Sequence, residues 1–151
     1  MVDFTKLLNA KAGEAKKPKV LMAGNYPGVI TRHELLPAPE GKDYQTIIRF
    51  HLRPTGWPEE AQDDDKTQDM GNGPQAIDLS KRQLRRDFYD SSLYRLDEFI
   101  RSCGVEANGR SYSEVLPELT GVQVLMSVEQ YMNQRTGEFG NQIGNLVGQP
   151  S

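Results

Sequence analysis

Arg49, His51 and Arg53 stand at alternate positions in the stretch Asp43-Tyr-Gln-Thr-Ile-Ile-Arg-Phe-His-Leu-Arg-Pro54. In an extended chain, residues two apart share a face. The three groups therefore form a basic stripe about 14 Å long, at ~7 Å per residue pair. Two readings are open: a solvated outer face, or a row of cations presented to a polyanion. The opposite face carries Tyr44, Thr46, Ile48, Phe50 and Leu52 and is apolar, so it packs on a core.

Further residues of the same chemistry recur along the chain. Lys81-Arg-Gln-Leu-Arg-Arg-Asp-Phe-Tyr89 sets Arg85 and Arg86 beside Tyr89. Arg32, Lys42, Tyr44, Tyr131 and Arg135 lie at or near turns and strands. Trp57, the only tryptophan, reads either as a cap on the core edge or as a stacking platform. Cations neutralise backbone phosphate and release counterions. Aromatic faces stack on unpaired bases with little sequence preference. For each residue a structural reading stands beside this one. Tyr44 shares the parity of Ile48, and the arginines have Asp78, Asp87 and Asp90 as possible partners.

Other chemistries find little support. His33 and His51 have no metal-ligand spacing. Cys103, the single cysteine, falls on the apolar face of a helix. Gly71-Asn-Gly73 precedes no strand-to-helix turn of the phosphate-cradling kind. The carboxylates crowd into a loop. We therefore expect no enzyme, no cofactor and no metal. One cysteine also suits a reducing cytoplasm, and no apolar run approaches the ~20 residues of a membrane helix. A soluble cytoplasmic protein with no membrane partner is expected.

The elements that position these groups follow from periodicity and punctuation. Residues 1–18 read as a flexible polar arm in which Phe4, Leu7 and Leu8 could form one helical turn. Lys16, Lys17 and Lys19 are either solvated or near phosphate. A domain over 19–148 then opens with a strand from about Gly24 to Leu36, a Pro-Gly loop, and the strand described above. Residues 55–74 form a long loop with six acids between Glu59 and Asp69. The 151-residue chain has a net charge of −3. Removing six of its 21 acids and one of its 18 bases with that segment leaves 15 against 17, a balance of +2. Lys81 to Tyr89 fits a helix face or a strand. Leu93, Leu96, Ile100 and Cys103 mark a helix over about 92–103, with Asp90 or Ser91 as N-cap and Gly104 as stop. Val122 to Val128 alternates as a strand. A turn at 132–137 leads to a last strand over 139–147, where Gly140 and Gly144 suggest close backbone approach or a bulge.

With 81–89 as a strand, the order is three strands, a helix and two strands. That is the order of an all-β, five-stranded OB-fold, a small β-barrel whose helix plugs one end. OB barrels hold single strands across the second and third strands, flanked by the first-second and fourth-fifth loops. Those elements hold Lys42, Tyr44, Arg49, His51, Arg53, Arg85, Arg86, Tyr89, Tyr131 and Arg135.

The opening Met-Val-Asp-Phe-Thr-Lys-Leu-Leu resembles the start of a family of bacteriophage OB-fold single-stranded DNA-binding proteins, as does Lys17-Pro-Lys-Val-Leu-Met-Ala-Gly-Asn-Tyr26. Leu84-Arg-Arg-Asp-Phe-Tyr with Leu93-Tyr-Arg-Leu-Asp-Glu-Phe-Ile resembles the family's third strand and helix, and Thr136-Gly-Glu-Phe-Gly-Asn-Gln-Ile its last hairpin. The resemblance covers nearly the whole chain. It implies that 82–89 is a strand. It also implies a protein that coats and protects single-stranded DNA in phage replication, recombination or repair. The last residues, Gly148-Gln-Pro-Ser151, hold no acidic side chain, so a partner-recruiting acidic C-terminal tail is not expected, and the 59–69 loop is the candidate substitute for contacting replication or recombination proteins. Alternatives are a structural or protein-interaction OB domain (a virion component or regulator) and a single-stranded RNA binder. Assembly into a homo-oligomer stays open.

Overall fold

The computed structural model describes residues 4–9, 17–71 and 73–149. The expected flexible arm lies largely outside them, at 1–3 and 10–16. Within the arm, α1 (Thr5–Asn9) is the anticipated helical turn, with Phe4 and Leu8 exposed rather than packed. Lys17 pairs with Glu138 at 2.5 Å.

Seven strands follow: β1 (Gly24–Pro37), β2 (Thr46–Pro54), β3 (Thr67–Asp69), β4 (Pro74–Ala76), β5 (Leu84–Tyr89), β6 (Gln123–Met132) and β7 (Phe139–Gly148). Helices α2 (Leu93–Ser102) and α3 (Tyr112–Val115) lie between β5 and β6. Five strands form one antiparallel sheet in the order β5-β2-β1-β6-β7, and β3 and β4 form a separate small hairpin. The protein is therefore mostly β, with a five-stranded antiparallel sheet and a packed helix.

Alternation places the core as expected. Ile48, Phe50 and Leu52 of β2 are buried, opposite Phe88 and Leu84 of β5 and Ile30 of β1. Phe50, Phe88 and Phe99 of α2 form an aromatic cluster with centroids 5.5–5.7 Å apart. Helix α2 buries Leu96, Phe99 and Ile100, and Cys103 follows on the same stripe. It ends at Gly104, whose φ of +78° is left-handed. Its start differs from expectation. The N-cap is Ser92, whose side chain makes no capping hydrogen bond among the described residues. Asp90 instead accepts from the Gln45 backbone N–H at 3.0 Å, tying the β1–β2 connection to the end of β5.

Strand β1 is long enough to serve two neighbours. Residues 24–29 pair with β6, and residues 28–37 run along β2. A bulge between Ile30 and Arg32 leaves Thr31 out of register, with its hydroxyl donating to the His51 carbonyl at 3.1 Å. The bend curls the sheet until the Cα atoms of its two edges, β5 and β7, approach within 8 Å.

Two expectations need correcting. No hydrogen-bonded ladder joins β5 to β7 among the described residues, so the sheet is curled and not closed. The physical reason lies in Arg86. It faces inward between Leu84 and Phe88, opposite Phe50, and an inward charge opposes edge pairing. The second concerns the long loop expected over 55–74, which carries local structure of its own. It contains a 3-10 turn (Asp63–Lys66) and β3, which pairs with β4 at and beyond the loop's end, so the strand order along the chain includes two extra short strands. Buried Pro58 and Ile77 anchor it, and Lys19 clasps it by donating to the Asp64 carbonyl at 2.6 Å.

Candidate nucleic-acid interface

The outer face of β1, β2 and β5 carries half of the predicted residues (Arg32, Arg49, His51, Arg53, Arg85 and Tyr89), most of them in cross-strand rows. Leu36, Ile47 and Tyr89 form one row, Glu34, Arg49 and Asp87 the next, and Arg32, His51 and Arg85 the third. Arg53 ends the face opposite Val29. Tyr44 folds back from the β1–β2 connection onto Tyr89, with centroids 4.4 Å apart. Tyr44 is thus a rim residue and not a core one.

The rows separate committed cations from available ones. Arg49 makes a bidentate pair with Asp87, at 2.8 and 3.0 Å, and its side chain is only 19% exposed. His51 Nε2 lies 2.6 Å from Glu34 Oε1. That hydrogen bond, helped by Arg32, holds the Glu34 carboxyl below the usual carboxylate range. Arg32 itself is exposed and only loosely associated with Glu34, at 3.8 Å. Arg53 and Arg85 are exposed and have no ion-pair partner among the described residues. The basic stripe read from the sequence is therefore one free cation, one hydrogen-bonded imidazole and one neutralised arginine.

A cleft of about 510 Å³ opens beside this face, lined by His51, Gln83, Leu84, Arg85, Tyr131, Asn141 and Gln142. It brings the β2–β5 face together with the β6–β7 hairpin and contains no carboxylate. Tyr131 is positioned by the glycine opposite it. A Cβ on Gly140 would lie 2.8 Å from the Tyr131 ring, so the ring rests on bare backbone. The two glycines noted in the sequence thus mark close approach, Gly140 to Tyr131 and Gly144 to the Glu129 carboxylate.

Other predicted residues lie apart. Lys42 is exposed on the β1–β2 connection and Arg135 on the β6–β7 turn. Trp57 packs partly buried against Tyr26, 5.8 Å between centroids, which is the core-cap contact. Arg86 points to the inner face. Sequence reasoning passed over Tyr94 and Arg95, which stand on the polar side of α2 next to Arg86. Their signal was an aromatic and a base outside the helix's apolar stripe. Among the described residues no cluster of three metal-ligating side chains occurs, and no helix is long and apolar enough to cross a membrane.

No protein-family model matches the chain, and no curated protein matches it in sequence.

Proposed function

We propose that this chain is an OB-type protein that binds single-stranded DNA without sequence preference, covering and protecting transient single strands in replication, recombination or repair. One observation carries the reading. The 510 Å³ cleft joins a free arginine, a histidine, an exposed tyrosine and three side-chain amides, and its lining residues include no carboxylate, Glu34 and Glu129 standing behind His51 and Gln142 as their hydrogen-bond partners. Cation plus aromatic is the pairing that an unpaired polynucleotide needs. The OB-type reading rests on β1 pairing with both β2 and β6, and on edges that face one another as in a partly open barrel. Arg53, Arg85 and Tyr131 are the principal ligands in this reading, with Arg32, Lys42 and Arg135 adding long-range attraction. The 59–69 excursion remains the proposed contact for partner proteins.

One observation favours a second reading, a protein-interaction domain. An apolar groove of about 520 Å³ is lined by Leu35, Ile48, Leu93, Leu96 and Leu116, and Leu35 is 61% exposed.

The two are separated by titrating labelled oligo-dT at two salt concentrations, with duplex DNA and RNA of equal length as competitors. The proposal expects tight, salt-weakened binding that duplex competes for poorly. Tyr131→Ala should weaken it by roughly 1–3 kcal/mol if one base stacks there. No binding at low salt would reject the reading and favour protein interaction. Equal competition by RNA would replace DNA with single-stranded nucleic acid in general.

A further inference from the structure

Beyond the outer face, the gap between the two sheet edges has chemistry of its own. Two connected clefts of about 290 and 420 Å³ run along it, sharing Arg86, Phe88 and Arg95. Arg85, Arg86 and Tyr89 of β5, Tyr94 and Arg95 of α2, and Gln142 and Asn145 of β7 contribute to their walls. Arg86 is the unusual member. It sits on the core side of β5 with its guanidinium 5.5 Å from the Phe88 centroid. Its Nε is buried and has no hydrogen-bond partner among the described residues. A buried, unsatisfied donor on a cation is costly and calls for an acceptor. Arg95 donates from Nε to the Tyr94 hydroxyl at 3.1 Å, which leaves its terminal nitrogens directed elsewhere. The carboxylates among the wall residues are Glu98 at one end and Asp87, which is held by Arg49.

The width of the gap selects the occupant. Insertion of a peptide strand would hold the flanking strands roughly 9.5 Å apart. Some Cα atoms of β5 already lie within 8 Å of Cα atoms of β7. At those points an inserted peptide strand has no room, whereas a compact anion needs less width. The geometry points to an anion site at Arg86 and Arg95 that takes a backbone phosphate of the bound single strand, so that the strand turns from the outer face over the β5 edge onto α2. This rests on the nucleic-acid reading above, and it extends the footprint to residues outside the β2–β5 face.

The test uses the full chain. Arginine Nε–Hε resonances are followed by NMR during titration with dT20, with inorganic phosphate, and with a glutamate-rich decapeptide. The salt dependence of dT20 affinity is measured for wild type and for Arg95→Gln, an exposed position whose change leaves the core intact. Two results are required. The Arg86 and Arg95 signals shift with dT20 in step with binding, and Arg95→Gln lowers the slope of log affinity against log salt by about 0.7, the value of one single-strand phosphate contact. If wild type binds dT20 but either result is missing, the anion site fails and the outer-face reading survives. Shifts with phosphate or the acidic peptide but not with dT20 also overturn it. If wild type does not bind dT20 at all, both readings fall.

Discussion

Arg49 shows how a neighbour decides what a side chain is for. Alone it would be a phosphate ligand, but with Asp87 on the adjacent strand its charge is spent within the sheet. Arg49→Ala should therefore leave oligonucleotide affinity within about twofold, whereas Arg53→Ala with Arg85→Ala should lower it roughly tenfold at moderate salt. Arg49→Ala should instead cost about 1–2 kcal/mol of stability, because the pair is bidentate and mostly shielded from water. Denaturant melts and anisotropy on the same variants separate the two effects. Cys103 makes a different prediction. Burial pushes its thiol up to about 11, and the residue is 3% exposed. An unfolded thiol ionises near 8.5, so the folded state binds the proton more tightly. The stability contribution is thus complete below about 8.5 and declines as pH rises toward about 11. A disulfide reagent at pH 8 should label the native protein far more slowly than the unfolded chain.

At the scale of elements, the end of β7 is set by a missing side chain. Gly148 lies against the C-terminus of α2, its N–H donating to the Ser102 hydroxyl at 2.9 Å. A Cβ there would meet the Cys103 backbone at 2.5 Å. Neither backbone yields easily, so Gly148→Ala should cost about 2–3 kcal/mol in a denaturant melt. Gly144→Ala meets only the mobile end of Glu129 and should cost far less. Gly140→Ala displaces the Tyr131 ring from its seat, so oligonucleotide affinity should fall while the melt stays near wild type. Equal losses of affinity and stability would mean that β7 itself had moved.

Over the whole molecule, charge is divided between a folded acidic excursion and a basic face. Neutralising Glu59, Asp63 and Asp64 to their amides changes the net charge from −3 to 0. Association with oligo-dT at low salt should then accelerate several-fold, and the gain should vanish in high salt. Acid should unfold the protein partly through Glu34 and Asp78. Both carboxyls are held below their usual range, by hydrogen bonds from His51 and from Ser80 respectively. A depressed carboxyl stabilises the fold above its unfolded value, near 4, and that support is lost as pH falls through the folded one. The thermal midpoint should drop below pH 4, and the profile of Glu34→Gln should be flatter.

Much of this protein was legible in its amino-acid order. Alternation of period 2 put Ile48, Phe50 and Leu52 inside, and helical spacing put Leu96, Ile100 and Cys103 on one stripe, because side-chain direction depends only on local backbone geometry. Even Arg86 was visible between Leu84 and Phe88 on one face. Partnership was not visible. Arg49 meets Asp87 across 38 positions and His51 meets Glu34 across 17, and only strand register decides such contacts. A slip of one residue would have exchanged each cation's face. Over 55–74 punctuation marked a long loop but could not show its internal structure, or that Pro58 within it and Ile77 just beyond it are buried. The cleft around Arg85 and Tyr131, and the unpaired Nε of Arg86 near the sheet's edge, depend on the tertiary arrangement that brings distant strands together. Local chemistry determined which groups the chain could present; long-range pairing determined which of them remain free to act.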